Sequence, residues 1–367
     1  MKKLLLLAVS ILILSTAAQA KDVIVAIEGP FSGPVANFGE QMKNGVTQAA
    51  KDINAAGGVL GQKIALKFFD DACDPKQAVT VANQVIAEQL PVVIGPFCSG
   101  SAIPASQVYA EEGTLMITPG ATNPKLTEQG FKDIFRMVGN DNLQGKAIAK
   151  YVMAHFSGKN IALVDDKQTY SKGLVDVVKK SLDDGGAKIV MQEQVNQGEK
   201  DYTTLVTRLK QENVGVLVYG GYQNEAGLIR RQLSDQGSNL IMIGGDALSS
   251  ADFWAITGAA GEGTLYTSAP DLTKIPGNQK LLAAFSAAHM NPDGFTLYAY
   301  AALKLWADTV NKIGSAEPSK VETAFRASPH DTPLGSISFD DKGDIKDAAY
   351  AVYQFHNSKM MQVSDGK

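Results

Sequence analysis

The stretch Val92-Val93-Ile94-Gly95-Pro96-Phe97-Cys98-Ser99-Gly100-Ser101 (VVIGPFCSGS) leads from an apolar run into a segment with helical spacing. We predict a strand from Val92 to Gly95 and a helix from Ser101 to Glu112. The loop between them then lies at the carboxyl edge of a parallel sheet, where α/β proteins usually bind ligands. Its chemistry leaves four interpretations: a nucleophile, a phosphate cradle, a redox thiol, or a cup for another anion.

The same alternation of short apolar runs and amphipathic stretches continues along the chain. Further strands are predicted at Val23 to Ile27, Lys63 to Phe69, Thr114 to Ile117, Asn160 to Val164, Lys188 to Met191 and Val214 to Tyr219. Further helices are predicted at Phe38 to Asn54, Pro75 to Glu88, Lys172 to Leu182, Tyr202 to Gln211 and Glu225 to Leu233. Alternation of this kind predicts an α/β protein with two similar Rossmann-like halves, each built on a parallel sheet.

The order of elements changes after about residue 275. Helices are predicted near Gln279 to His289, Leu297 to Ile313 and Ser319 to Arg326, followed by strands at Ser336 to Phe339 and Tyr350 to Phe355. Elements that arrive so late are expected to complete both earlier halves. The chain would then cross between the halves several times, and such crossings can form a hinge.

The first twenty residues have the features of a signal peptide. Lys2 and Lys3 precede an apolar run from Leu4 to Leu14, and Ala18-Gln19-Ala20 is an A-x-A cleavage signature. We therefore expect an exported protein whose mature chain begins at Lys21.

Charge and motif content exclude several classes of function. The chain has 34 basic and 38 acidic residues and no cluster of Lys and Arg, which argues against nucleic-acid binding. Its four histidines are scattered without metal-ligand spacing, and neither a G-x-S-x-G elbow nor a Walker A motif occurs. Nothing in the sequence requires catalysis, a metal or another cofactor.

The two cysteines, Cys73 and Cys98, are both in the exported part of the chain. In an oxidising compartment the default expectation is one disulfide. Closing the loop of roughly two dozen residues between them would stabilise the fold by about 3 kcal/mol. A disulfide would also weaken the interpretation of Cys98 as a catalytic thiol.

Two loops supply groups for a zwitterion. Ser99 adds a hydroxyl donor to the free N–H groups of the helix that follows it, although Ser99 or Ser101 could instead cap that helix. In the loop after Thr114 to Ile117, Thr122 can donate to an anion, while the carbonyls of Gly120 and Ala121 can accept from a cation. A free amino acid matches this pairing.

The second half contributes three side chains that follow predicted strand ends. Tyr170 comes after LVDDKQ, Tyr222 after LVYGG, and Asp246 after LIMIGG. Each tyrosine taken singly is more often a packing residue, and Asp246 more often a turn residue. Their shared position favours a binding cleft, in which Asp246 would meet an ammonium group.

Several long motifs resemble the periplasmic leucine/isoleucine/valine-binding proteins, over about residues 22 to 357. They are FDDACDPKQAV (69–79), EGTLMITPGATNP (112–124), DKQTYSKGL (166–174), GEKDYTTLVTRLKQENV (198–214) and FDDKGDIK (339–346). The resemblance implies a type I periplasmic binding protein with two lobes and a three-crossing hinge. Residues 21–140 plus about 270–347 would form lobe 1, and 141–269 plus about 348–367 lobe 2.

The resemblance also implies roles for individual residues. Ser99 and Thr122 would hold the ligand carboxylate, and the Gly120 carbonyl and Asp246 its ammonium group. The side-chain pocket or the closing lobe would contain Phe38, Phe97, Tyr170, Tyr222 and Phe295. Cys73 and Cys98 match the family's disulfide. The implied partners are a free amino acid and an inner-membrane ABC permease, with a monomeric protein, no nucleic acid and no cofactor.

The sequence departs from the family pattern at several pocket positions. Asp246, in GGDALSS, is one methylene shorter than the family's glutamate. Phe97 replaces a smaller aliphatic residue, Phe38 a tyrosine or tryptophan, and Gly120 an alanine. These changes leave open a different amino acid, an amide or a short peptide as ligand. The sequence also leaves open a sensory role and a periplasmic enzyme that acts on amino-acid derivatives.

Overall fold

The computed structural model describes residues 22–363, so the predicted signal peptide lies outside the described residues. The amino-terminal part forms a parallel five-stranded sheet of order β2-β1-β3-β4-β5. Its strands are β1 Val23–Gly29, β2 Ile64–Asp70, β3 Val92–Ile94, β4 Leu115–Thr118 and β5 Ile134–Arg136. The helices in this part are α1 Ala36–Ala55, α2 Pro75–Ala87, α3 Ser99–Glu111 and α4 Lys125–Glu128.

A second sheet follows, in the order β14-β13-β10-β9-β8-β6-β7. Its parallel strands are β6 Asn160–Asp165, β7 Ile189–Gln194, β8 Val214–Gly220, β9 Ile241–Gly244 and β10 Leu265–Ser268. The helices in this region are α5 Asp141–His155, α6 Thr169–Asp184, α7 Thr203–Gln211, α8 Gln223–Asp235 and α9 Ala251–Thr257. The predicted α/β architecture with two parallel-sheet lobes is confirmed.

The last part of the chain contains α10 Gln279–Ala287, α11 Thr296–Ile313, α12 Pro318–Ala327, β11 His330–Thr332, β12 Gly335–Ile337, β13 Ala351–His356 and β14 Lys359–Gln362. It adds a helix to the first sheet and strands β13 and β14 to the second, and β11 and β12 pair with each other as a separate sheet. Helix α11 packs along α1 and reaches β3 and β4, whereas β13 joins the second sheet antiparallel to β10. Counting the first passage from β5 into α5, the chain therefore crosses between the sheets three times.

Buried apolar residues cover the faces of both sheets. One face of α1, including Phe38, Met42 and Val46, is fully buried against the first sheet and α11. Helix α2 starts with Asp74 as a cap that accepts from two backbone N–H groups, and Pro75 occupies the first helical position. A cap of this kind contributes about 1 kcal/mol. No helix within residues 22–363 has the length and apolar character needed to cross a membrane.

Gly95 fixes the turn out of β3. Its φ of +121° is unfavourable for residues with a side chain, and a Cβ at this position would lie 1.9 Å from the Glu28 carbonyl oxygen. The Thr118 hydroxyl, at the end of β4, donates to the Pro96 carbonyl at 2.6 Å. The loops after β3 and β4 are thereby held side by side.

Candidate functional site

The loops after β3 and β4 face those after β6, β8 and β9 across a cavity with about 240 Å³ of empty space. The cavity is lined by Phe38, Phe97, Ser99, Gly120, Thr122, Tyr170, Tyr222, Asp246, Ala247 and Phe295. All of these except Ala247 were predicted as site residues from the sequence. The structure thus brings them together, although their contact with a ligand stays a prediction.

Ala121 is the one predicted site residue that does not line the cavity. Its side chain is fully buried among core residues, and its carbonyl accepts from Arg136 Nη1 at 2.9 Å. The carbonyl therefore does accept from a cation, as its position suggested, but that cation belongs to the protein. Gly120 remains the backbone acceptor that faces the cavity.

Two hydroxyls on the first-lobe wall are placed to bind an anion. Ser99 is the first residue of α3, and its Oγ accepts from the Asn123 backbone N–H at 3.2 Å, which leaves the hydroxyl proton available. Thr122 Oγ1 is buried and has no hydrogen-bond partner of good geometry among the described residues. Neither Ser99 nor Ser101 caps α3, so the capping interpretation is wrong.

A buried arginine that the sequence reasoning missed fixes this wall. Arg136, on β5, donates from Nη1 to the carbonyls of Ala121 and Asn123, both at 2.9 Å. Its Nε pairs with Asp344 Oδ1 at 2.8 Å, and its Nη2 donates to Thr127 at 2.7 Å. The only indication of this role in the sequence is an arginine next to apolar residues in a short strand.

The second-lobe wall carries the charge. Asp246 is almost fully buried, and the Tyr170 hydroxyl donates to its Oδ1 at 3.1 Å, but its Oδ2 has no hydrogen bond of good geometry among residues 22–363. Burial raises the pKa of Asp246 to about 6, with hydrogen bonds from Tyr170 and Gln144 offsetting part of the rise. A cation beside Oδ2 would favour the charged form.

Asp141 is a second buried carboxyl behind this wall, and it was also missed. It is the first residue of α5, is fully buried, and neither of its oxygens has a hydrogen bond of good geometry within the described chain. Burial and the nearby Asp246 raise its pKa, and Thr122 and Arg136 lower it. In the sequence, Asn140-Asp141 looks like an ordinary helix start, and nothing there indicates that Asp141 lies close to Asp246.

Aromatic rings form the apolar side of the cavity. Phe38 and Phe97 are stacked with centroids 4.8 Å apart, and Phe295 meets Phe97 edge-on at 4.8 Å. Tyr222, from the other lobe, lies 6.1 Å from Phe38 and 5.4 Å from Tyr170. Such a wall suits an apolar side chain.

The Cys73–Cys98 disulfide is confirmed, with the Cα atoms 5.5 Å apart. It joins the loop after β2 to the residue that precedes α3. Because Cys98 is bonded, the nucleophile and redox-thiol interpretations of the opening stretch are not supported. Within residues 22–363, no group of three or more His, Cys, Asp or Glu side chains could hold a metal ion.

Hydrogen bonds join the two lobes directly around the cavity. Asn123 Nδ2 donates to the Thr169 carbonyl at 2.8 Å, and Gln223 Nε2 donates to Asn37 Oδ1 at 2.9 Å. Asn224 Nδ2 donates to the Pro34 carbonyl at 2.6 Å. The structure therefore shows the lobes closed against each other.

Comparisons with known proteins agree with this architecture. Residues 23–360 match the family described as periplasmic binding protein. The Leu/Ile/Val-binding protein homolog 1 of Brucella melitensis is 44% identical over 94% of this chain and 92% of its own length. The leucine-, isoleucine-, valine-, threonine- and alanine-binding protein of Pseudomonas aeruginosa is 40% identical over 93% of this chain and 92% of its own.

A solved structure gives the same result. The branched-chain amino acid transporter substrate-binding protein of Streptococcus pneumoniae, in complex with isoleucine, is 25% identical, with a TM-score of 0.83 over 94% of this chain and 99% of that one. Sequence and fold agree along nearly the whole length. The chain belongs to the periplasmic binding protein family.

Proposed function

We propose that this protein captures a free aliphatic amino acid, leucine, isoleucine or valine, in the cavity between its lobes and delivers it to an ABC transporter. One observation carries the proposal. The cavity opposes the hydroxyls of Ser99 and Thr122 to the Asp246 carboxylate oxygen that has no hydrogen bond of good geometry, with phenylalanine rings beside them. The Pseudomonas aeruginosa relative, named for binding these amino acids among others, and the Streptococcus pneumoniae structure in complex with isoleucine support the same conclusion.

The roles follow from charge. An α-carboxylate accepts from Ser99, Thr122 and the N-terminus of α3, where the helix dipole favours negative charge. The α-ammonium lies between the Gly120 carbonyl and Asp246, where a charge-assisted hydrogen bond replaces the solvation that the buried carboxylate has lost. The side chain contacts Phe38, Phe97 and Phe295, and Tyr170 and Tyr222 close the cavity.

Family membership places the protein in the periplasm, and the family is one of solute-binding proteins. We further propose that residues 1–20 are a cleaved signal peptide and that the mature protein acts as a monomer. We propose lobes of 21–140 plus about 270–347, and of 141–269 plus about 348–367, of which residues 21 and 364–367 lie outside the described residues. The lobes open and close about the three crossings, and scattering with and without ligand tests this hinge: an unchanged radius of gyration would count against it.

The second candidate is the same binding mode with a different amino acid or an amide as ligand. Asp246 is a short acid and Phe97 a large wall residue, and both reshape the cavity.

A thermal-shift panel of the twenty amino acids, on protein unfolded and refolded to remove carried ligand, tests both candidates. Ligand at about 100 times its dissociation constant adds about 2.7 kcal/mol to the free energy of unfolding. We expect a raised midpoint with leucine, isoleucine and valine. A shift confined to other amino acids would support the second candidate, and no shift at all would contradict both.

The variants Ser99→Ala and Thr122→Ala test where the ligand carboxylate binds. Each removes one hydrogen bond to a charged group, so each should weaken binding by about 1.5–3 kcal/mol. Ser319→Ala on the exposed surface of α12 is the matched control. Unchanged affinity in both site variants would contradict the proposal that the ligand carboxylate binds to this wall.

A further inference from the structure

Gly120 lies close to another cavity residue, Phe97, whose ring supplies the three atoms nearest to a Cβ at position 120. Its φ lies outside the left-handed region, so the backbone itself does not require glycine. A Cβ at position 120, however, would lie 2.3 Å from Phe97 Cε2 and 2.4 Å from Cδ2. Non-bonded carbon atoms do not approach this closely, so alanine at position 120 and the present position of the Phe97 ring exclude each other.

The Phe97 ring has little freedom to withdraw into the protein. It stacks on Phe38 with an interplanar angle of 15°, and Phe295 stands against it at 89°. Its backbone is held on both sides, by the Thr118 hydroxyl on the Pro96 carbonyl and by the Cys73–Cys98 disulfide. A ring pushed by a new methyl group would therefore turn toward the cavity.

A ring that turns inward takes space from the ligand, because Phe97 is one of the residues that line the cavity. Close-packed interiors respond to a change of even one methylene group. The position of the Phe97 ring therefore determines how much side chain a ligand can carry.

We infer that Phe97 and Gly120 act as a coupled pair that determines specificity: the glycine makes room for the ring, and the ring restricts the ligand to branched aliphatic side chains and excludes aromatic ones. This inference rests on the proposed function, because it concerns the same cavity. It adds a limit on the size of the ligand side chain and assigns that limit to Phe97 and Gly120 acting together.

Four proteins test the pair: wild type, Gly120→Ala, Phe97→Val and the double variant. Calorimetric titration with leucine and with phenylalanine gives the affinities. Gly120→Ala should bind leucine at least about tenfold more weakly, and adding Phe97→Val should restore most of that loss. Phe97→Val alone should bind phenylalanine at least about tenfold more tightly than the wild type does.

Two controls separate these effects from general ones. Gly277→Ala adds a methyl group where nothing lies within 4 Å, and Phe68→Val alters an exposed ring that does not line the cavity. Neither should change leucine affinity. Equal leucine affinity in Gly120→Ala and the wild type, or a double variant no better than Gly120→Ala, would overturn the coupling.

Ligand-free melting separates failure of this inference from failure of the proposed function. Gly120→Ala should lower the midpoint without any ligand, and Phe97→Val should partly restore it in the double variant. A wild type that binds none of the twenty amino acids would overturn the proposed function and the size limit with it. The midpoints would still decide whether the two residues are coupled.

Discussion

The two walls of the cavity are built in opposite ways. On the first-lobe wall, the loop that carries Gly120 and Thr122 is held by the buried guanidinium of Arg136, and Ser99 follows a disulfide-bonded cysteine. On the second-lobe wall, Asp246 is buried, with a raised pKa and one oxygen that has no hydrogen bond of good geometry. The backbone of the first wall is fixed by bonds within the protein, whereas the second wall carries a buried carboxyl whose charged form a cation would stabilise.

Breaking the first wall should have the largest effect. Arg136→Met leaves Asp344 without its ion-pair partner and the carbonyls of Ala121 and Asn123 without their donor. Loss of one partner of a buried pair costs about 3–5 kcal/mol. Denaturant titration should show a lower midpoint with an unchanged slope. Lys304→Met, in an exposed helical pair with Asp308, is the control and should cost about 0.5 kcal/mol or less.

Removing the disulfide tests the same wall at its other end. Cys73→Ser/Cys98→Ser opens a loop of sequence separation 25, so the free energy of unfolding should fall by about 3 kcal/mol. Reduced wild-type protein should melt at the same midpoint as the double variant. If the midpoint did not move, the loop after β3 would be held by its packing and by Thr118 alone.

Asp246→Asn, on the second wall, should weaken ligand binding but stabilise the ligand-free protein. Loss of the charge should weaken amino-acid binding by about 2 kcal/mol or more. The ligand-free variant should nevertheless be more stable than the wild type above pH 6. The folded-state pKa of Asp246, about 6, lies above its ordinary value of 3.8, so its stabilising contribution is complete below pH 3.8 and is lost as the pH rises through 6. Melting curves at pH 5 and pH 8 measure this difference.

The pH dependence of binding should be the smallest effect. A proton on Asp246 competes with the ligand's ammonium group, so affinity should be about tenfold lower at pH 5 than at pH 7. Asp141, which the same burial affects, is the other group to test. Asp246→Asn should abolish most of the dependence and Asp141→Asn should leave it. The reverse result would assign the titration to Asp141.

The elements that place the cavity were predictable where the chain has strong periodicity. Helices α1, α2 and α11 lie within a few residues of their predicted ends, and the loops after β3 and β4 are where the sequence put them. Strand β5, with three residues, and α5, which begins with polar residues, were not predicted. Both supply groups beside the cavity, namely Arg136, Asp141 and Gln144.

The sequence by itself determined the two-lobed α/β fold, the disulfide between its only cysteines and the chemical types expected in the cavity, because these follow from local periodicity, residue type and family motifs. Tertiary structure alone decided which groups are left unpartnered and which residues compete for space. Arg136 and Asp344 are 208 residues apart, and Phe97 is 23 residues from the glycine that accommodates its ring. Packing, not spacing along the chain, sets such distances.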